Sequence, residues 1–243
     1  MFPLALALTQ KDGTMPYVPT FCVAFSMLST HNVGMPLHDA DISSQRTSAA
    51  DRLRAGGLGA FFRASQVAAA GLTRDQLPAL VRSGDVERVG RGLYRLAAVE
   101  PTENYSLAMA CARVPTSIVC LLSALRVHDI GTQAPAAIWL AIPHKARAPK
   151  LVDVRVRVVR FSGPAWSFGV KDTVFEGVPA RITSPARTIL DCFRYERLVG
   201  PEAGLEALHD ALRRRLVTAD ELRRVQAVLP SRLLRAQLER PRI

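Results

Sequence analysis

Two short helical patterns followed directly by a hairpin pattern, between residues 65 and 96, constrain the fold of this chain most. The first pattern, SQVAAAG, has Ser65 as its predicted N-cap and Gly71 as its predicted C-cap. The hairpin pattern, VERVGRGLYRL, predicts two short strands joined around Gly90-Arg91-Gly92. Upstream, SAADRLRAGG predicts another short helix, and GAFFRAS predicts a short extended piece. We therefore expect a small helical unit closed by a β-hairpin.

The second helical pattern is LTRDQLPALVRSG, in which Thr73 and Gln76 have the spacing of a capping box. Proline is tolerated in the first turn of a helix and not deeper, so Pro78 places the predicted start near Asp75. Gly84 is the predicted end. The predicted inward stripe consists of Leu77, Leu80 and Val81.

This order of elements is that of a winged helix-turn-helix, whose second helix enters the major groove of DNA. The outward face of the predicted second helix carries Asp75, Ala79 and Arg82, flanked by Arg74 and Gln76. The alternative is a small helical subdomain without a nucleic-acid role, in which each arginine is simply a solvated charge. The candidate DNA-binding residues on the second helix and the wing are Arg74, Gln76, Arg82, Arg88, Arg91 and Arg95.

The charge balance supports a polyanionic partner. The chain of 243 residues has a net charge of +11, and its basic residues are 28 Arg and 4 Lys. Residues 46–98 carry a net charge of +5, whereas residues 1–45 carry −2. Such a surface attracts nucleic acid or an anionic membrane, although coding bias in a GC-rich genome also explains the arginine excess. No apolar run approaches the ~18 residues of a membrane span, so we expect no membrane partner.

Residues after Pro101 predict a mixed α+β unit. The predicted helices are TENYSLAMACARVP, SIVCLLSALRVHDIG, SPARTILDCFRYERLVG and PEAGLEALHDALRRRL, and a capping box at Thr218 and Glu221 begins a last helix. The predicted strands are AAIWLAIP and VRVRVVRF, with a hairpin, TVFEGVPARIT, around Gly177. In VRVRVVRF, alternation places Val154, Val156 and Val158 on one face and Arg155, Arg157 and Val159 on the other.

Basic residues cluster around that second strand, at Lys145, Arg147, Lys150, Arg155, Arg157 and Arg160. One interpretation is a second basic face for phosphate or an acidic partner. The other is an exposed strand whose charges prevent edge-to-edge pairing.

The constellation most suggestive of a special role is Ser184-Pro185-Ala186-Arg187-Thr188 followed by Asp191. Arg187 and Asp191 are four residues apart, so they share a helix face and can pair. This pair is either a structural salt bridge or a means of presenting Arg187 to an anion.

The sequence contains no motif that is typical of an enzyme active site or a metal site. Ser123 and His128 lack a GxSxG elbow and a clear third member, and we expect His128 to cap or pack a helix end. We find no P-loop, GxGxxG, HExxH or nuclease carboxylate set, and no CxxC pair, so we expect no cofactor, no metal and no enzymatic activity. Cysteines scattered in apolar contexts suit a reducing, cytoplasmic location.

Several segments in order resemble AbiEi-type antitoxins, over about residues 48–240. The winged-helix domain of that family is similar to one segment of this chain, FFRASQVAAAGLTRDQLPALVRSGDVERVGRGLYRL. Its second domain is resembled by CLLSALRVHDIG, RVRVVRFSGPAWSFGV and SPARTILDCFRYERLVGPEAGLEALHDALRRR. The chain departs from the family pattern at Ala186, where members often have Glu, and at Pro78 in the recognition helix; residues 1–47 have no counterpart.

The resemblance implies a bacterial, cytoplasmic regulator that binds inverted repeats in its own promoter and represses it, as a monomer or as a dimer assembled on DNA. It also implies a type IV arrangement, in which the second domain counteracts a nucleotidyltransferase-like toxin. Arg187, Thr188 and Asp191 match the Arg-Thr…Asp element of that domain. The implied organisation is a disordered or mis-annotated extension over 1–47, a winged-helix DNA-binding domain over 48–98, and an α+β antitoxin domain over 99–243.

Overall fold

The computed structural model describes residues 49–239, which lie within one compact unit. The prediction made for residues 1–47 falls outside this described part. The predicted mixture of helices and strands is confirmed, and the strands form one sheet of three strands and one of five.

The first sheet and its helices occupy residues 49–96. In chain order the elements are α1 (Ala49–Ala55), β1 (Phe61–Arg63), a 3₁₀ turn (Val67–Ala70), a second 3₁₀ turn (Arg74–Gln76), α2 (Leu77–Arg82), β2 (Val86–Gly90) and β3 (Leu93–Leu96). The antiparallel sheet has the order β1-β3-β2. The helices pack on it through a small core that includes Leu53, Phe62, Val67, Leu77, Leu80, Val86 and Leu96.

The local signals in this region are largely confirmed. Thr73 and Gln76 form the predicted capping box, and Pro78 lies in the first turn of α2 because the 3₁₀ turn precedes it. Gly71 has φ +67° and ends the first turn as predicted. Two predictions are wrong. Ser65 is not the N-cap, since the 3₁₀ turn begins after Gln66, and Val81 is 37% exposed.

The second sheet and eight further helices follow among the described residues. They are α3 (Tyr105–Arg113), β4 (Ile118–Val119), α4 (Leu121–Val127), β5 (Ile138–Pro143), β6 (Val156–Phe161), α5 (Pro164–Ser167), β7 (Val170–Phe175), β8 (Val178–Thr183), α6 (Pro185–Arg194), α7 (Glu196–Val199), α8 (Pro201–Arg213), α9 (Ala219–Val228) and α10 (Arg232–Leu238). The strand order is β6-β5-β4-β8-β7, so β6 and β7 are the edges. The pairs β5–β6 and β4–β8 are parallel, and the others are antiparallel.

Helices cover both faces of this sheet, which explains why β5 is apolar throughout. Trp139 and Ala141 face a core that includes Ile189 of α6, whereas Leu140 faces a core that includes Ala108 of α3. A strand buried on both sides cannot show the polar alternation of a half-exposed strand. The apolar sequence of β5 therefore agrees with its position inside the sheet, between β6 and β4.

Three predictions in this region need correction. The helix predicted from SIVCLLSALRVHDIG begins only at Leu121, because Ile118–Val119 pairs as β4 between β5 and β8. Short helices α5 and α10 have no counterpart in the prediction. The face of β6 that carries Arg155 and Arg157 is exposed only in part, because Val159 on the same face is buried with the core.

Candidate nucleic-acid interface

The second 3₁₀ turn and α2 present one exposed face. Arg74, Gln76 and Arg82 all lie on it, as predicted, while Leu77 and Leu80 are buried beneath. The only hydrogen bond of Arg82 within the described chain is a long one, from Nε to the Pro78 carbonyl at 3.4 Å. Its guanidinium is therefore available to an external acceptor.

Gln76 has a structural role that the sequence also predicted. Its Oε1 accepts a hydrogen bond from the backbone N–H of Thr73 at 2.9 Å, which closes the capping box. Only its amide nitrogen can then serve as a donor to a base or phosphate. Gln76 thus holds the start of the exposed helix as well as lying on its surface.

The hairpin of β2 and β3 carries two exposed arginines. Arg88 lies on β2, and Arg91 lies at the tip beside Gly92, whose φ of +64° permits the tight turn. The pairing register shifts between Arg88 and Gly90, which marks a bulge in β2.

Arg95, predicted as a wing contact, is corrected by the structure. Its side chain is only 5% exposed and pairs with Glu87 at 3.3 Å. It also donates to the Val99 carbonyl and lies 5.3 Å from the centre of the Tyr105 ring. Because Leu93 is two residues earlier in the same strand and is buried, alternation was the signal that could have placed Arg95 inside.

Four predicted arginines therefore share one property. They are exposed, and none of them forms an ion pair within residues 49–239. Positive charge without an internal carboxylate partner can be neutralised by phosphate. These residues are Arg74, Arg82, Arg88 and Arg91.

Arg113 at the end of α3 anchors the β2–β3 hairpin, a contact that sequence reasoning missed. Its guanidinium donates to the Val89 carbonyl on β2 and to Asp153 at 2.7 Å. A side chain added at Gly90 would stand 3.3 Å from Arg113 Nε, so the end of β2 runs directly over this group. The contacts join residues 24 and 40 positions apart, for which the sequence carries no local signal.

The Arg187 and Asp191 pair forms as the spacing predicted, in the interior. Both side chains are 0% exposed, and Arg187 Nε donates to Asp191 Oδ2 at 2.9 Å. The guanidinium also donates to the Phe168 carbonyl at 2.6 Å and the Ala165 carbonyl at 3.1 Å. It lies 5.0 Å from the centre of the Phe161 ring.

Burial dominates the electrostatics of this pair. Desolvation raises the pKa of Asp191 even though the positive charge of Arg187 lowers it. The neighbouring Thr188 Oγ1 lies 2.9 Å from the Ser184 carbonyl and 2.7 Å from Thr183 Oγ1. This element ties α6 to the end of β8 and to the loop around α5, so its geometry is that of a core clamp.

The other side chains considered for catalysis, Ser123 and His128, form hydrogen bonds that stabilise the fold. Ser123 Oγ accepts from the Trp139 backbone N–H at 2.9 Å, while His128 Nε2 donates to the Thr183 carbonyl at 2.7 Å. Burial lowers the pKa of His128 and raises that of Cys111 to about 12. In residues 49–239 no cluster of three metal-ligating side chains forms, and no helix could cross a membrane.

Comparison with known proteins agrees with the resemblance seen in the sequence. Residues 52–97 match a family model described as "Transcriptional regulator, AbiEi antitoxin", which confirms the expected relationship for that segment. Among solved structures, the RV2827C protein from Mycobacterium tuberculosis is similar at 17% identity with a TM-score of 0.46, over 74% of this chain and 71% of that chain. No curated protein matches the chain.

Proposed function

We propose that this chain is a transcriptional regulator that binds its own promoter through a winged helix-turn-helix in residues 49–96. The recognition element would be the second 3₁₀ turn with α2, and the wing would be the β2–β3 hairpin. We further propose that residues 99–243 act as an antitoxin domain against a nucleotidyltransferase-like toxin. The match to a regulator family over residues 52–97 supports the first proposal.

One observation carries the DNA-binding proposal. Arg74 and Arg82 lie exposed on the second 3₁₀ turn and on α2, and Arg88 and Arg91 lie exposed on the β2–β3 hairpin that follows. A helix in the major groove and a wing beside it would place arginines on base edges and on phosphates together. Buried Leu77 and Leu80 hold the helix against the sheet, so that this face stays turned outward.

Measuring DNA affinity at increasing salt concentrations distinguishes sequence-specific binding from binding by charge alone. Fluorescence anisotropy would compare the protein on its upstream DNA with the protein on scrambled DNA of equal length. We expect a preference of ~10³ or more to persist at physiological salt. Equal affinity for both sequences, falling steeply as salt rises, would reject a specific regulator and leave a basic interaction module.

Substitutions then test the assignment of residues. Arg82→Ala and Arg91→Ala should each weaken operator binding by ~1–3 kcal/mol if these side chains read bases. Arg232→Ala is the matched control, because Arg232 is also exposed but lies on α10. Unchanged affinity in both Arg82→Ala and Arg91→Ala would remove the proposed interface.

The antitoxin proposal has a separate test in cells. We expect co-expression of the full chain to restore growth to cells that express a nucleotidyltransferase-like toxin encoded beside it. The Arg82→Ala, Arg91→Ala double variant should still restore growth if residues 99–243 suffice, since neither residue lies there. Failure of the wild-type chain to restore growth, with DNA binding intact, would leave a regulator without a toxin.

A further inference from the structure

A surface groove of about 660 Å³ lies beside the beginning of β6, far along the chain from the proposed DNA-binding elements. Its walls include Leu122 of α4, Trp139 of β5, and Leu198 with Val199 of α7. Its lining residues are apolar apart from two arginines, and no carboxylate is among the described residues that line it. The groove thus combines an apolar floor with uncompensated positive charge.

The two arginines are Arg155 and Arg157, both exposed. Neither forms an ion pair with any part of residues 49–239. The guanidinium of Arg157 lies 5.2 Å from the centre of the Trp139 ring, which holds it over the apolar floor. On the α7 wall, the Leu198 side chain is 51% exposed. Positive charge and apolar surface are therefore presented side by side.

The same place offers an open sheet edge. β6 is the outermost strand next to β5. The Ile138 N–H donates to the Arg155 carbonyl at 2.8 Å, so the backbone of Arg155 faces β5. Alternation then directs the N–H and C=O groups of Val156 and Val158 away from β5, toward the open edge.

The surrounding charge is also one-sided. Between residues 144 and 160 the chain carries six basic residues and one acidic residue, Asp153. That carboxylate is already paired with Arg113 at 2.7 Å. The local potential therefore favours an anionic ligand.

We propose that this groove and the β6 edge bind an extended, acidic and apolar segment of another protein by strand addition. The segment would hydrogen-bond with the outward backbone groups of Val156 and Val158. Its carboxylates would pair with Arg155 and Arg157, while its apolar side chains would cover Leu198 and the groove floor.

A nucleic acid fits the same surface less well. Phosphates would neutralise the arginines, but duplex DNA has no extended apolar side chain to fill a groove lined by Leu122, Leu198 and Val199. The Trp139 ring is 3% exposed beneath Arg157, so it is not available as a platform for stacked bases. Charge with apolar lining thus favours a protein segment.

The test uses the full chain and a labelled peptide of about eight residues, the length of an ordinary strand. Because strand side chains alternate between two faces, Glu and Val alternate along the peptide face that covers Arg157 and Leu198, and Thr fills the other face. Three control peptides each remove one feature: Gln replaces Glu, Ser replaces Val, or the peptide amides that face β6 are N-methylated. We expect each change to lower the affinity measured by anisotropy at least about tenfold.

Protein variants complete the test. Arg155→Ser with Arg157→Ser should lower peptide affinity about tenfold or more, whereas Arg224→Ser with Arg235→Ser should not. The control pair removes the same charge from exposed positions on α9 and α10. Promoter binding should be unchanged in both double variants, so this proposal can fail while DNA binding holds.

Several results would overturn the inference. If the peptide does not bind, the arginines only protect the strand edge. If it binds equally well with Ser in place of Val or with N-methylated amides, the contact is charge alone. If promoter DNA displaces the peptide and Arg155→Ser with Arg157→Ser weakens DNA binding instead, the surface belongs to a nucleic acid.

Discussion

Replacement of Arg187 by methionine tests whether the buried clamp stabilises residues 99–239. Methionine fills a similar volume without charge, so the perturbation removes one guanidinium and leaves Asp191 without its cation. The Phe168 and Ala165 carbonyls lose their donors at the same time. Breaking a buried ion pair from one side costs about 3–5 kcal/mol.

This expected loss is a large fraction of the free energy of unfolding of a whole domain. Domains have a free energy of unfolding of about 5–15 kcal/mol, and a urea dependence of about 2 kcal/mol per M is typical. Arg187→Met should therefore lower the urea midpoint by about 1.5–2.5 M, as followed by circular dichroism. Because Asp191 is the charge left behind, Arg187→Met with Asp191→Leu should recover part of that loss.

A matched control lies on the same helix. Arg194 is also on α6 but is exposed, so Arg194→Met should change the free energy of unfolding by no more than about 0.5 kcal/mol. A loss below about 1 kcal/mol in Arg187→Met would refute the reasoning, because it would mean that Asp191 is not a buried charge that needs compensation.

Two further predictions concern backbone contact and pH. Gly59→Ala should destabilise the protein by about 1–3 kcal/mol in a thermal melt, since the added Cβ would stand 2.3 Å from the Gly177 Cα. The control is Gly84→Ala, whose added Cβ meets open space. In the same melt it should show only the cost of placing Ala at a positive φ. Hydrogen bonds from the Gly131 N–H and then Arg213 lower the pKa of Asp210 to about 2. Its stabilising contribution is thus present above the ordinary value of 3.8 and is lost as pH falls toward 2. The difference in unfolding free energy between wild type and Asp210→Asn should shrink over that range, and a constant difference would contradict the assignment.

Much of the secondary structure in residues 49–96 could be predicted, because the sequence signals that specify it act between near neighbours in the chain. Capping at Thr73 and Gln76, the position of Pro78 and the glycine turn at Gly92 each depend on neighbours within a few residues. The Arg187 and Asp191 pair is equally local, because one helical turn brings them together.

Other features could not be predicted, because distant segments decide them. Ile118–Val119 lies in an apolar run that fits either helix or strand, and only pairing with β5 and β8 selects the strand. Alternation with Leu93 indicates that Arg95 points inward, but only the tertiary structure shows that the Tyr105 ring and the Val99 carbonyl enclose it. The contact of Arg113 with Val89 likewise depends on how α3 packs.

The sequence by itself determined the local elements, the basic character of the chain and its resemblance to a regulator family, since these follow from spacing and composition. Only the tertiary structure decided which arginines are available. Burial and pairing removed Arg95 and Arg187 from the surface, whereas Arg82, Arg91 and Arg157 remained exposed. The physical reason is that a side chain's charge is fixed by its chemistry, but its solvation and its partners are fixed by segments far away in the chain.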